Sequence, residues 1–164
     1  MSELNNKISI FGVGPKIFIS ICPFLIIFGY IEYVFHPVFI FPLNYYWMVI
    51  IGSILLTSGI FMFVYSERVM SSAYNSSSLA TSKIYAYIRH PMYASWVYGI
   101  LPGIFCFLNS WIFLLNLIAF YLIFKIFIKE EEKYLLKEFG KDYEHYRKNV
   151  NAIFPKLSKY KPKE

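Results

Sequence analysis

Two clusters of polar side chains stand out in a strongly apolar chain, and both contain groups that can do chemistry. The first cluster consists of Tyr85, Arg89, His90, Pro91 and Tyr93, and the second of Glu130, Glu131 and Glu132. Burying such charged groups is costly unless each is paired or bound to a ligand. The clusters flank one hydrophobic hairpin and can meet at one membrane face. There a carboxylate can bind an ammonium or sulfonium group, and neighbouring tyrosine rings can contact the same cation.

Each cluster also has a purely structural interpretation, which the residues alone leave open. Arg89 and His90 can be interfacial anchors whose side chains snorkel to the membrane surface. The three glutamates can form the solvated first turn of a helix, where acidic groups favour the helix dipole. Because successive helical residues point in different directions, at most one or two of the glutamates can face a bundle.

The composition predicts one integral membrane domain covering residues 1–164. Of these residues 57% are hydrophobic and 16% are charged, whereas about 25% are charged in soluble domains. The net charge of +6 borders apolar segments, so it favours topology signals and anionic lipid as partners over nucleic acid. The three widely spaced histidines and two cysteines have no metal-ligand spacing, and we expect no metal.

Four apolar segments, at 16–35, 45–65, 93–108 and 111–128, predict an all-α bundle of about four membrane spans. The third and fourth are short and Pro102 interrupts the third, so these two can instead form a tilted or re-entrant hairpin. Gly52 and Gly59 in the second segment predict a close helix contact. The serine-rich stretch 66–83 is expected to form a polar loop.

The charge distribution predicts the orientation of the bundle. Lysine and arginine occur in the N-terminal segment, in the 66–92 region and in the C-terminal region, whereas the turns at 37–44 and 109–110 have neither. Because basic residues accumulate on the cytoplasmic side, we expect both termini to be cytoplasmic. The membrane would be the endoplasmic reticulum in a eukaryote and the cell membrane in a prokaryote.

After residue 128, apolar residues recur at spacings that are typical of an amphipathic helix. They are Leu135, Leu136, Phe139, Tyr143, Tyr146 and Val150. This pattern predicts a cytosolic amphipathic helix or helix pair, with a break at Gly140. The lysine-rich tail at 156–164 is expected to be disordered.

The run from Tyr85 to Tyr93 resembles the signature of the isoprenylcysteine carboxyl methyltransferase and phospholipid methyltransferase family. Members have a tyrosine, three further residues, and then Arg-His-Pro-x-Tyr. The second half is similar too, with Glu131-Glu132, Leu135-Leu136, Phe139-Gly140, Tyr143, Tyr146, Val150 and Pro155 in order. The resemblance covers about residues 66–155 and implies a membrane methyltransferase that binds S-adenosylmethionine with this half.

The same resemblance implies roles for individual residues. The implied cofactor-binding positions are Leu79, Ala80, Tyr85, His90, Pro91, Met92, Tyr93, Glu131 and Glu132. The implied catalytic residues are Arg89, His90 and Glu131. The implied reaction methylates the α-carboxylate of an isoprenylcysteine, a lipid or prenylated substrate that enters from the bilayer.

The chain departs from the family pattern at three positions. Phe127 stands where the family has an arginine before the glutamate pair, so Lys125 and Lys129 become the candidate substrate-binding cations. A lysine supplies charge but lacks the bidentate fork of arginine. Lys83 replaces a glycine, and Asn151 replaces a proline.

These departures leave three alternatives open. The acceptor can be a phospholipid amine, which would need a proton acceptor such as His90 or a glutamate. Sterol reductases that use a nicotinamide cofactor share Arg-His-Pro-x-Tyr, although Ala94, Ser95 and Trp96 follow here where those enzymes carry an acidic residue. A non-catalytic membrane protein with the same fold is the third alternative.

Overall fold

The computed structural model describes residues 12–161, and over this range the chain is helical, apart from turns and one isolated bridge. Its helices are α1 (Gly14–Phe35), α2 (Tyr45–Asn75), α3 (Pro91–Ser95), α4 (Leu101–Phe107) and α5 (Leu115–Asn149). A π-helical segment, Trp96–Ile100, joins α3 to α4, and 3-10 turns occupy Lys83–Ala86 and Trp111–Leu114. The predicted all-α class is confirmed.

Between residues 12 and 161, three stretches are long and apolar enough to cross a membrane: Gly14–Phe35, Tyr45–Asn75 and Trp111–Asn149. The third apolar segment forms the shorter helical stretch Pro91–Phe107, which falls below the roughly 20 residues of a full span. The described part of the chain is therefore an integral membrane bundle with three span-length helices and one short apolar helix. The prediction that the fourth segment is short was wrong, because α5 continues far beyond residue 128.

The short third segment contains a π-helical turn just before Pro102. The Leu101 N–H donates to the Trp96 carbonyl, five residues back. Proline has no N–H and cannot continue an α-helical ladder, so widening the preceding turn keeps neighbouring backbone groups bonded. The interruption predicted at Pro102 is thus a widened turn within a continuous apolar stretch.

The helix α2 extends through much of the predicted polar loop, which therefore begins only after Asn75. Serine side chains in this part bond to carbonyls of the preceding turn, as Ser66 does to Met62 at 2.6 Å and Ser76 to Ser72 at 3.0 Å. Serine can thus be accommodated in a helix when its hydroxyl returns to the backbone. The prediction of a loop over 66–75 was wrong for this reason.

Glycine allows α2 to touch the third segment backbone to backbone. A Cβ placed on Gly99 would lie 2.4 Å from the Cα of Gly59, and one on Gly103 would lie 2.7 Å from the Leu56 nitrogen. Both distances are far below van der Waals contact. The close helix contact predicted from Gly52 and Gly59 is confirmed.

The amphipathic region is a direct continuation of the last membrane helix. The helix α5 carries one non-helical residue, Gly140, with φ 51° and ψ −124°, a conformation that glycine adopts at little cost. The predicted break at Gly140 is confirmed. Beyond it, the buried residues Tyr143, Tyr146 and Val150 pack with Leu79 of the 76–82 loop.

The two uncharged turns lie together at the opposite end of the bundle. The Trp111 N–H donates to the Phe39 carbonyl at 2.9 Å, and Ile40 forms an isolated bridge with Ser110. The Ser110 hydroxyl also donates to Glu32 at 2.6 Å. The turns at 37–44 and 109–110 therefore share one end, as their shared lack of basic residues predicts.

The tail differs from the predicted disorder over residues 156–161. The Lys156 N–H donates to the Tyr87 carbonyl and the Tyr160 N–H to the Ala86 carbonyl, both at 3.0 Å. The Tyr160 ring also packs edge-on against Tyr146, with ring centroids 5.1 Å apart. Carbonyl groups beside the 3-10 turn bind this tail, which a lysine-rich composition does not reveal. Residues 162–164 lie outside the described residues.

Candidate functional site

The two polar clusters meet in the interior of the protein. Pro91 begins α3, and His90 precedes it at the N-cap. The His90 Nδ1 lies 3.2 Å from Oε1 of Glu131 on α5. His90 is 5% exposed and Glu131 is 8% exposed. Neither residue is therefore a surface anchor, and the clusters face each other as their positions beside one hairpin predicted.

Backbone contacts with the segment after α5 hold Arg89 and His90 in place. The Arg89 N–H donates to the Asn151 carbonyl and the His90 N–H to the Ala152 carbonyl, both at 2.9 Å. The Tyr146 hydroxyl donates to the Tyr85 carbonyl at 2.6 Å. The C-terminal region thus fixes the backbone of the first cluster. Nothing in the sequence spacing points to these contacts.

Glu131 has a donor on each carboxylate oxygen. The Tyr93 hydroxyl donates to Oε2 at 2.9 Å, and the Val13 N–H donates to the same oxygen at 3.2 Å. The other oxygen faces His90. A buried carboxylate needs such partners to offset its loss of hydration. The contacts also restrict its orientation.

Glu132 turns away from Glu131 into an arginine-rich ion pair. Its Oε1 lies 2.7 Å from Nη2 of Arg89, and its Oε2 lies 3.3 Å from Nε of Arg147. The Arg89 Nη1 also donates to the Arg147 carbonyl at 2.6 Å. Glu130, by contrast, pairs with Lys16 at an exposed position. Thus only two of the three glutamates face the interior, as the helical geometry predicted.

The carboxylates determine the charge of His90. Burial by itself lowers the pKa of His90, but the hydrogen bond to Glu131 and the negative charges of Glu131 and of Glu132, whose Oε1 lies 3.6 Å from His90 Nε2, outweigh it. The net effect raises the pKa above its usual 6.5. A raised pKa favours an imidazolium near neutral pH. The site is therefore an alternating set of buried positive and negative groups.

Two adjoining cavities open beside these residues. Residues lining both are Gly12, Met70, Tyr85, Arg89, His90 and Glu131. We call this shared wall the junction.

The cavities differ in chemistry. One of them, the apolar cavity, is also lined by Gly14, Pro15, Phe18, Phe63, Met92, Tyr93 and Trp96. The other, the polar cavity, is also lined by Tyr74, Ser77, Ser78, Leu79, Ala80, Tyr134, Leu135, Glu138, Phe139, Tyr143 and Tyr146. An apolar chamber and a polar, tyrosine-rich chamber therefore meet at one ion-paired wall.

The predicted cofactor residues distribute between these spaces. Leu79 and Ala80 line the polar cavity, and Tyr85, His90 and Glu131 lie at the junction with the predicted catalytic Arg89. Met92 and Tyr93 line the apolar cavity. Pro91 and Glu132 are buried or paired and are not among the described residues lining either space. Their roles stay predictions.

The two candidate substrate cations lie elsewhere. Lys125 and Lys129 are exposed on α5, and the Lys125 ammonium sits 5.5 Å from the centre of the Tyr121 ring. Neither is among the described residues that line the cavities. Phe127, at the family's arginine position, packs against the core. The substrate role of these lysines stays a prediction.

Several residues that line the cavities belong to no sequence motif. Gly12 gave no signal in the sequence, whereas Tyr134 and Glu138 follow the glutamates at helical spacing. Tyr143 and Tyr146 stood out as the apolar face of an amphipathic helix, which is a packing signal. Within the described range, the buried Tyr143 hydroxyl and the Arg89 Nε have no hydrogen-bond partner, so both can bind a ligand.

Comparison with known proteins matches this arrangement to one family. The family model described as the isoprenylcysteine carboxyl methyltransferase (ICMT) family matches residues 45–137. A protein-S-isoprenylcysteine O-methyltransferase from Schizosaccharomyces pombe is 37% identical over 94 residues, covering 56% of this chain and 39% of the relative. One from Xenopus laevis is 30% identical over 113 residues, covering 66% of this chain and 38% of the relative.

A solved structure is similar over most of the chain. The eukaryotic intramembrane Ras methyltransferase ICMT matches with a TM-score of 0.63 at 25% identity, covering 90% of this chain and 55% of that one. The chain spans less than two fifths of the length of the two curated relatives above. Because the family model covers more than half of the chain, this chain belongs to the isoprenylcysteine carboxyl methyltransferase family.

Proposed function

We propose that this protein is a membrane methyltransferase that moves a methyl group from S-adenosylmethionine to a lipophilic acceptor, the α-carboxylate of an isoprenylcysteine. The observation that carries the proposal is the junction, where an apolar and a polar cavity share His90 and Glu131. A transfer between a lipophilic molecule and a water-soluble donor needs two such spaces with one point of contact. Family membership supports the same reaction.

The polar cavity fits the donor in its chemistry. Glu131 and Glu138 offer negative charge to a ligand that carries an ammonium and a sulfonium group. Tyrosine rings along the cavity offer flat surfaces to a nucleoside, and the buried Tyr143 hydroxyl, unpartnered within residues 12–161, offers a hydrogen-bonding group. Bound there, S-adenosylmethionine supplies a methyl group that is already activated on sulfur.

The residues of the chain bind and orient the donor and the acceptor, and they exclude water from the site. A carboxylate acceptor is ionised at neutral pH, so no side chain has to remove a proton. Glu131, held by Tyr93, Val13 and His90, presents a fixed negative charge at the junction. Because the junction is buried, these charges act in a medium of low polarity, where electrostatic attraction is stronger than in water.

The apolar cavity supports a lipophilic acceptor. The rings of Phe18 and Trp96 pack edge-on with centroids 4.4 Å apart, and Phe63 lies 6.4 Å from Trp96. These rings belong to α1, to the π-helical segment and to α2, which are membrane elements. An isoprenoid chain matches such a lining. Arg89 lines the junction, and its guanidinium is a candidate to bind an acceptor carboxylate, since Phe127 replaces the family's arginine.

A phospholipid amine is the second candidate acceptor, and the junction carries one observation in its favour. An amine must lose a proton, and the carboxylate of Glu131 at the junction can accept it. The two acceptors therefore share one donor site and differ in the bond formed. Their products differ chemically, because a methyl ester is cleaved by base and a methylated amine is not.

The test is an incubation of purified protein with methyl-labelled S-adenosylmethionine and a prenylcysteine analogue in lipid vesicles. We expect base-labile label in the analogue. If label appears instead in an amine phospholipid and is stable to base, with none in the analogue, the acceptor is the amine and not the carboxylate. No label in either would leave the cavities without a transfer reaction and contradict the proposal. The same incubation with a His90→Ala variant, which we expect to be inactive, controls for a contaminating methyltransferase.

A further inference from the structure

We infer that Gly12, just before α1, is a positioning residue for Glu131. Its φ is +53°, and a Cβ added to it would lie 2.1 Å from Oε2 of Glu131 and 2.8 Å from its Cδ. The carboxylate thus occupies the space that any other residue at position 12 would fill. Because Glu131 is assigned to the junction of a methyltransferase, this inference rests on the function proposed above.

The absent side chain lets the backbone reach the carboxylate. The next residue, Val13, donates its N–H to Oε2 at 3.2 Å, beside the Tyr93 hydroxyl at 2.9 Å. The two donors hold Oε2 and leave Oε1 directed at Nδ1 of His90. The residue before α1 and Tyr93 therefore fix the orientation of the carboxylate toward the imidazole.

A larger residue at position 12 should move the carboxylate rather than the fold. The nearest atoms to the added Cβ are the end of a flexible side chain, which rotates more easily than backbone shifts. The helix α1 is anchored independently, since Ile17 and Ile21 pack in the main core with Phe120 and Phe124. The expected effect of the substitution is therefore a changed orientation of the Glu131 carboxylate.

A simple structural role predicts a different result. If Gly12 served only to adopt a positive φ at a helix entrance, its replacement would cost stability without altering the carboxylate. Asparagine tolerates positive φ better than most residues but still carries a Cβ. Gly12→Asn thus keeps the steric effect on Glu131 while limiting the backbone cost. Gly29 on α1 has no atom within 4 Å of an added Cβ, so Gly29→Ala is the matched control.

The first readout needs no ligand. The chain has three histidines, and a carbon-13 titration followed by NMR can assign His90 by comparison with a His90→Gln protein. His90 faces Glu131 and Glu132, with Arg89, Arg147 and Tyr93 close to those carboxylates. Displacing Glu131 removes one of the two charges that raise the pKa of His90, so the pKa should fall in Gly12→Ala and Gly12→Asn. It should stay unchanged in Gly29→Ala.

The second readout is the affinity for S-adenosylhomocysteine, measured by calorimetry. We expect at least about a tenfold loss in both Gly12 variants and none in Gly29→Ala, with helicity by circular dichroism equal to that of the parent. An unchanged His90 titration in a folded Gly12 variant overturns the inference. Loss of helicity in both Gly12 variants also overturns it, since glycine would then serve the fold. A parent protein that binds no S-adenosylhomocysteine contradicts the proposed function, while the titration still decides the role of Gly12.

Discussion

Three consecutive glutamates occupy three different environments in this chain. Glu130 is half exposed beside Lys16, Glu131 is buried at the junction, and Glu132 is paired with Arg89 and Arg147. The sequence predicted that at most two face inward, because helical residues diverge. It could not assign Glu132 to an ion pair, since Arg147 lies beyond the Gly140 break and only the fold brings it back. The positions of His90 and Glu131 beside one hairpin did correctly predict that the two residues are neighbours.

Replacing Glu132 by glutamine should destabilise the protein strongly. The change leaves Arg89, whose side chain is 10% exposed, without its charge partner. Removing one member of a buried pair costs about 3 kcal/mol or more. Glu130→Gln breaks an exposed pair and should cost less than about 1 kcal/mol. Denaturant unfolding in one detergent measures both, and equal losses would contradict the burial of the Glu132 pair.

The raised pKa of His90 predicts a stability that declines at alkaline pH. A group with a higher pKa in the folded state contributes in full below its unfolded pKa of about 6.5. That contribution is lost as pH rises through the raised folded value. Melting temperatures across pH 6 to 10 should show this decline in the parent and a weaker one in His90→Gln. Identical pH profiles would show that His90 does not carry the charge.

At the scale of elements, α2 and the third apolar segment depend on glycine contacts. Gly52 and Gly59 predicted the contact from the sequence. The partner glycines, Gly99 and Gly103, lie four residues apart, a spacing that is also typical of a close helix contact. The extension of α2 to Asn75 was missed because serine composition favours a loop. The last turns of α2 contribute Met70 and Tyr74 to the lining of the cavities. The part of α2 that was predicted to be a loop therefore belongs to the candidate site.

Gly99→Ala should destabilise the bundle. The new Cβ would lie 2.4 Å from the Cα of Gly59, and backbone on both sides leaves no flexible atom to yield. Overpacking of this kind costs about 1–3 kcal/mol. Gly29→Ala, with open space around the added methyl, should be neutral or slightly stabilising because alanine favours helix. The melting temperatures of the two variants measure this difference. An unchanged melting temperature for Gly99→Ala would contradict the close backbone contact.

At the scale of the whole molecule, the candidate site lies at one end of the bundle, which we call the functional end, and the two uncharged turns lie at the other. The junction, the polar cavity and the C-terminal region lie together, and the two uncharged turns pair at the other end through Trp111 and Phe39. The charge pattern predicted this division of ends. The tail contact with Ala86 and Tyr87 was not predictable, because it depends on carbonyl groups left open beside a 3-10 turn. We propose that the functional end is cytosolic.

Cysteine labelling tests the orientation. In a Cys22→Ser, Cys106→Ala background, Ser77→Cys places a thiol at the functional end and Pro42→Cys places one at the other, both at exposed positions. A membrane-impermeant maleimide applied to the cytosolic side should label the former and spare the latter until the membrane is opened. The reverse pattern would contradict cytoplasmic termini and a cytosolic donor site.

The most direct test of the proposed junction is methyl transfer by matched glutamate variants. Parent, Glu130→Gln and Glu131→Gln proteins are incubated with labelled S-adenosylmethionine and a prenylcysteine analogue, and base-labile label is counted. The junction mechanism predicts near-parental rates for Glu130→Gln and a loss of about a hundredfold for Glu131→Gln, typical of removing one fixed electrostatic group. Parental activity in Glu131→Gln would contradict transfer at the wall between the two cavities.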